Sequence, residues 1–163
     1  MKKTIIIIVL AVVAVAAVAI TLNQRQSLEQ RQQEIHERGS LVMPFDLSKT
    51  THVFSQTDEG GIQQVRAKDP DDTDQILLIR QHLREEADRF AQGDFADPQT
   101  LHGENMPGLD VLTTRADELG VEYEDLDDGA QITYISDDPE VLNAIHLWFM
   151  AQLSDHGPDA MTH

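Results

Sequence analysis

The sequence predicts an α+β fold: a duplicated strand–strand–helix unit forming a four-stranded antiparallel sheet, with both long helices on one face. Three observations predict it. A glycine turn, an Asp-Pro pair and an apolar-striped segment containing His-Leu occur in that order at Gly60, Asp69-Pro70 and His82-Leu83. The same order returns at Gly129, Asp138-Pro139 and His146-Leu147, with an equal gap from glycine to Asp-Pro. A lone hairpin is marginal in water, so two hairpins gain by merging into one sheet that the helices cover.

The N-terminus reads differently. Lys2 and Lys3 precede an apolar run from Ile5 to Leu22, broken only by Thr21. Eighteen residues at roughly 1.5 Å rise span about 27 Å, close to the hydrocarbon thickness of a bilayer. Residues 1–22 are therefore expected to act as a membrane anchor or signal segment, and the leading lysines favour a cytoplasmic N-terminus. Ala14-Val15-Ala16 would serve a cleaved signal, but the apolar run continues well past it. Residues 23–40, rich in Gln, Glu and Arg, read as a polar helical stalk stopped at Gly39. Residues 41–157 are the exported α+β domain, and 158–163 a disordered tail.

Within the domain, TTHVFSQTDEGGIQQVRAKDP reads as two strands around a glycine turn, with His52 and Phe54 on one face and Val53 on the other. Aspartates 71, 72 and 74 supply the start of a helix over roughly Thr73 to Gln92, striped by Ile76, Ile79, Leu83, Ala87 and Phe90. The stretch GDFADPQTLHGENMPG is expected to be a loop, followed by a short helix from Leu109 to Leu119 that ends at Gly120. A second hairpin, VEYEDL and AQITYIS, turns at Asp127-Asp128-Gly129. The apolar segment EVLNAIHLWFMAQLSDHG then forms the last helix.

Composition excludes several functions. The chain has no cysteine, which removes disulfides, thiol catalysis, thiolate zinc sites and covalent c-type haem. From Leu41 onward seven Lys/Arg face 26 Asp/Glu, a formal charge of 7 − 26 = −19. Such a surface repels phosphates, so nucleic-acid binding is excluded. No serine lies in a G-x-S-x-G setting and no glycine loop is built to cradle phosphate.

Histidines carry the remaining chemistry. His146 and Met150 stand i, i+4 on the last helix, and His102 and Met106 share that spacing in the Gly/Pro-rich stretch. Imidazole and thioether suit copper, and imidazole alone also suits zinc. A copper or zinc site is therefore expected among His82, His102, His146, His156, Met106 and Met150. No catalytic residue is assigned. The enzymatic alternative pairs His82 with Glu86, one turn on, for acid–base work, and predicts an enclosed cleft over that pair. A third reading has His52 and the boundary histidines titrating against acidic surroundings.

Met43-Pro44-Phe45-Asp46-Leu47, Thr51-His52-Val53-Phe54, Ile79-Arg80-Gln81-His82-Leu83, Gly93-Asp94-Phe95, His102-Gly103, Met106-Pro107-Gly108-Leu109 and Asp155-His156-Gly157 carry a resemblance. On them the chain resembles a group of short bacterial membrane-anchored proteins of unknown function, often labelled "aspartate carbamoyltransferase". True transcarbamoylases look like two α/β domains of about twice this length. They carry a Ser-Thr-Arg-Thr loop and a His-Pro-x-Gln. Thr113-Thr114-Arg115-Ala116 lacks the final hydroxyl and has no His-Pro partner, so the resemblance does not imply that activity.

Taken together, these readings predict a binding or interaction module rather than an enzyme. It would be held at the inner membrane by a single N-terminal helix in contact with lipid. The domain would face the periplasm or the cell exterior, toward a protein partner the sequence does not identify.

Overall fold

Pro44, not Gly39, ends the first helix. Residues before a proline are driven out of the helical region, so α1 runs Lys2–Val42 and passes through Gly39. A Cβ at Gly39 would lie 2.7 Å from the Leu47 Cδ1, so glycine lets that leucine pack against the helix. The computed structural model describes residues 2–157 and 160–162, without the side chains of residues 2–9, 11 and 40. Among the described residues no helix is long and apolar enough to cross a membrane. Part of the expected anchor, residues 5–9 and 11, lies outside the described side chains, as do tail residues 158, 159 and 163 altogether.

The chain divides into two compact units, Met1–Glu34 and Ile35–His163. The second begins ahead of the expected boundary because Ile35, only 2% exposed, is already part of a packed interior. It holds β1 (Thr50–Thr57), β2 (Gly60–Ala67), α2 (Thr73–Phe90), α3 (Ala96–His102), α4 (Leu109–Thr114), β3 (Gly120–Leu126), β4 (Gly129–Ile135), α5 (Pro139–His156) and β5 (Ala160–Met161). The expected loop around residues 93–108 therefore contains a two-turn helix, closed where Gly103 adopts a φ of 98°. The helix expected from Leu109 to Leu119 breaks at Arg115 into α4 and a 3₁₀ turn.

Both long helices begin on an aspartate. The Asp72 carboxylate accepts from the Gln75 N–H at 3.3 Å, and Asp138 from those of Glu140 and Val141 at 2.9 and 3.1 Å. Pro139 occupies the first turn of α5, where its missing N–H has no partner to lose.

The sheet is five-stranded and mixed, in the order β3-β4-β2-β1-β5. This corrects the expected four-stranded antiparallel sheet. The first four strands are antiparallel, but β5 adds to the β1 edge in parallel, pairing His52 with Ala160 and Val53 with Met161. The physical reason lies at the open edge: β1 offers unpaired backbone groups, and the chain returns past α5 to cover them.

The antiparallel part is symmetric in register. Adding 69 to a residue number carries Gly60 to Gly129, Thr57 to Leu126 and Asp69-Pro70 to Asp138-Pro139. The central pairs obey it too: Gly60↔Ile135 becomes Gly129↔Arg66. Each helix crosses to the other hairpin, α2 over β3 and β4, α5 over β1 and β2. Both lie on the face bearing Phe54, Val65, Ile132 and Tyr134, where Trp148 meets Tyr134 edge-on at 5.3 Å and Phe149 meets Phe54 at 5.3 Å. Gly61 must lack a side chain here, because a Cβ would lie 2.5 Å from the Phe149 ring.

Candidate functional site

The capping aspartates set the helix register, and that register differs from the one the His-Leu pairs suggest. Asp72 and Asp138 are 66 residues apart, which makes Arg80 the counterpart of His146 and His82 the counterpart of Trp148. Contacts agree with this alignment. Arg80 donates to the carbonyl oxygens of Leu126 and Gly129, and His146 Nε2 lies 3.0 and 2.9 Å from those of Thr57 and Gly60. Each thus ties its helix to the turn of the opposite hairpin at matching positions. The repeated His-Leu is a sequence coincidence shifted by two residues.

By the same alignment Glu86 matches Gln152 and Phe90 matches His156. These residues, with His82 and Trp148, line one pocket between α2 and α5. His52, Phe54 and Gln63 close it from the sheet, and Phe45 from the segment after α1. About 30 Å³ is open to the centres of water molecules, room for roughly two waters. Among the described residues, three buried polar atoms of side chains that line it have no hydrogen-bond partner: Trp148 Nε1, Gln152 Oε1 and His52 Nδ1. Buried polar groups are ordinarily paired, since an unmade bond costs about 1–3 kcal/mol.

Of the titratable groups that line the pocket, all but Asp97 are held in their neutral forms near pH 7. Burial, then the nearby His82 and His102, pushes the His52 imidazole down to about 4. Burial also lowers His82, with Asp97 opposing. Burial holds His156 well below its ordinary value, helped by His52 and His102 and opposed by Asp155. Glu86, 7% exposed, is pushed up to about 8 by burial and by its hydrogen bond with Asp97, against the pull of Arg89. Asp97 itself loses some acidity to burial, but hydrogen bonds from Arg89 and Glu86 outweigh it and hold the carboxyl low. Arg89 and Asp97 form the charged pair, and Glu86 joins it as a neutral acid 2.5 Å from Arg89.

The structure brings together some of the residues singled out for metal. His52 and His156 stack at 4.9 Å with their planes 10° apart, and His102 meets His156 edge-on at 5.1 Å. Asp155 accepts from or holds His102 Nδ1 at 2.9 Å, which fixes that ring. His82 stands across the pocket, its ring 5.7 Å from Phe45. Parallel rings point their in-plane lone pairs side by side rather than at one point. Among the described residues, no group of three or more His, Asp or Glu is placed to hold a metal ion. His146 is occupied at the hairpin turn, Met150 is 61% exposed, and Met106 is 4% exposed in the core.

Sequence reasoning missed Trp148, Gln152, Gln63 and Asp97. Aligning the two helices from their aspartate caps, instead of from His-Leu, would have found the first two. Asp97 is placed by α3, which was read as loop.

No protein family, curated protein or solved structure matches the chain. The transcarbamoylase-like Thr113-Thr114-Arg115 has its arginine surrounded by Glu118, Asp138 and Glu140 at 2.5, 2.8 and 2.7 Å. Three carboxylates leave that guanidinium nothing to offer a phosphate.

Proposed function

We propose that this protein is a membrane-tethered, exported binding module whose pocket between α2 and α5 receives a small ligand. One observation carries the reading: a pocket on which both long helices and the sheet converge, lined by the rings of Phe45, Phe54, Phe90 and Trp148 and by the polar side chains of His52, His82, Glu86 and Gln152. The tether is the apolar run Ile5–Leu22 in contact with inner-membrane lipid, and the domain faces the periplasm or the exterior. A C-terminal alkaline phosphatase fusion tests the orientation: activity in intact cells, with the fusion retained in carbonate-washed membranes, is expected. An inactive fusion would overturn export, and a washed-off one would overturn tethering.

Copper or zinc is the narrower form of the proposal. The His52–His156–His102 group favours it, because burial keeps the His52 and His156 imidazoles neutral, the form a metal binds. Rotation of the stacked rings would be needed to converge their nitrogens. Metal analysis of the purified chain against a variant with His102 and His156 replaced by Asn decides it. Equal, negligible metal in both ends the metal form and leaves the pocket.

The acid–base alternative has its own observation. A neutral acid, Glu86, is hydrogen-bonded to an ionised one, Asp97, at a pocket that also takes His82. Environments that separate two carboxyl groups in this way are suited to proton transfer. This reading requires a bound ligand to be altered, and a ligand recovered unchanged after prolonged incubation argues for binding alone.

A further inference from the structure

We propose that the outward face of α5, formed by Asn143, Leu147, Met150 and Ser154, is the contact surface for a second copy of this chain, with the two helices antiparallel about a two-fold axis. The inference depends on neither the pocket nor the tether.

The stretch VLNAIHLWFMAQLS, Val141 to Ser154, contains no Asp, Glu, Lys or Arg. Its inner side packs into the core, where Val141, Ala144, Ile145, Trp148, Phe149 and Gln152 are buried. Its outer side is left open, with Leu147 42% and Met150 61% exposed and Leu142, Ala151 and Leu153 half-buried beside them. A helix that is apolar all round is ordinarily covered all round. The matched helix shows that the fold does not demand such a surface. At the positions 66 residues earlier, α2 presents Leu77, Gln81, Arg84 and Asp88, all exposed. Where α2 offers arginine and aspartate to water, α5 offers methionine and serine.

Charge and symmetry name the occupant. The domain carries a formal charge of −19, so two copies repel one another over most of their surfaces. Two α5 stripes meet without setting carboxylate against carboxylate. The stripe is also spaced symmetrically about a point between Trp148 and Phe149: Leu147 and Met150 lie equally far from it, and so do Asn143 and Ser154. An antiparallel two-fold through that point sets Leu147 against the partner's Met150 and Asn143 against the partner's Ser154, each contact being made twice. The apolar pairs then fall at the centre and the polar pairs at the ends, the arrangement of an interface core and its rim. Contact along about 16 Å of helix buries less than the roughly 800 Å² per partner of a standard interface. The association is therefore weak, and it forms where chains are crowded.

The chain has no cysteine, so single thiols can be introduced without background. Full-length chains carrying Leu147→Cys and Met150→Cys, co-expressed and oxidised in permeabilised cells, should form the mixed disulfide faster than either joins its own kind. The mixed disulfide should also form at least tenfold faster than Leu77→Cys pairs with itself, a control on α2 as exposed as Met150 at 61%. Asn143→Cys with Ser154→Cys should behave in the same way, and adding Met150→Glu to both of those chains should slow their joining at least tenfold. All four positions are exposed, so each variant is expected to melt as the native chain does.

Mixed disulfides no faster than the Leu77→Cys control would overturn the self-contact. Like thiols joining faster than unlike ones would overturn the antiparallel two-fold, and capture of a different protein in place of a second copy would overturn the choice of occupant.

Discussion

The two strand–strand–helix units share a register and use it for different ends. Where they agree, they do structural work: Arg80 on α2 and His146 on α5 each fasten the opposite hairpin turn. Where they differ, one pocket results. At matching positions α2 presents His82, Glu86 and Phe90, and α5 presents Trp148, Gln152 and His156. An internal two-fold would by itself give two equal walls. Divergence at these three positions gives unlike walls, with His82 and Glu86 titrating on the α2 side and His156 on the α5 side.

The sharpest way to break the comparison is to truncate its matched pair. Trp148 is fully buried and packs edge-on against Phe90, Phe95 and Tyr134, so Trp148→Ala should lose about 3–5 kcal/mol in denaturant unfolding. His82→Ala removes a smaller buried side chain that also borders the open cleft beside Glu85 and Arg89, and should lose less, about 1–2 kcal/mol. Equal losses would mean that the two walls carry the fold alike.

Glu86→Gln makes the second matched pair chemically identical, and its effect is read in pH dependence. Glu86 titrates near 4.5 when unfolded and at about 8 when folded, so the native state binds its proton more tightly. The stability it contributes is complete below pH 4.5 and lost as pH rises toward 8, on the order of 5 kcal/mol. The glutamine variant should therefore gain on the native chain between pH 5 and 8. Parallel pH profiles would show that Glu86 ionises freely. His52 works in the opposite sense: with its folded value near 4 against 6.5 unfolded, its contribution is complete above pH 6.5 and falls as pH drops toward 4. His52→Phe should flatten that acid limb.

A steric comparison comes next. Gly61 and Ala130 are related by the same register, yet only Gly61 faces the Phe149 ring. Gly61→Ala should cost about 1–3 kcal/mol by forcing that ring aside, and Ala130→Gly less. The smallest effect concerns what the units share. His146→Phe should cost about 1 kcal/mol and speed amide exchange at the β1–β2 turn, leaving the β3–β4 turn held by Arg80. Faster exchange at both turns would contradict two separate fastenings.

Much of the fold was legible because its signals are local. Asp-Pro pairs, glycine turns, strand alternation and the apolar stripe of α2 depend on neighbours within a few residues, and each appears where the sequence puts it. The repeat was legible as punctuation but misaligned along the helices. His-Leu is a two-residue coincidence, whereas the cap that fixes a helix register is an aspartate whose hydrogen bonds only the folded backbone displays. The histidines were found and their grouping was not. Two of the six residues picked for metal, His102 and His156, meet in space, and His52 joins them from a strand fifty residues away.

The sequence by itself determined the class of elements, their order, the absence of thiol chemistry and the acidity of the domain, because these follow from residue types and short-range spacing. Tertiary structure alone decided that a fifth strand completes the sheet, that His146 serves a turn while His82 serves a pocket, and that residues as distant as His52, His82 and Gln152 line one cavity. Those outcomes depend on which distant segments share a face and which polar atoms burial leaves without water. Neither quantity exists until the chain has closed on itself.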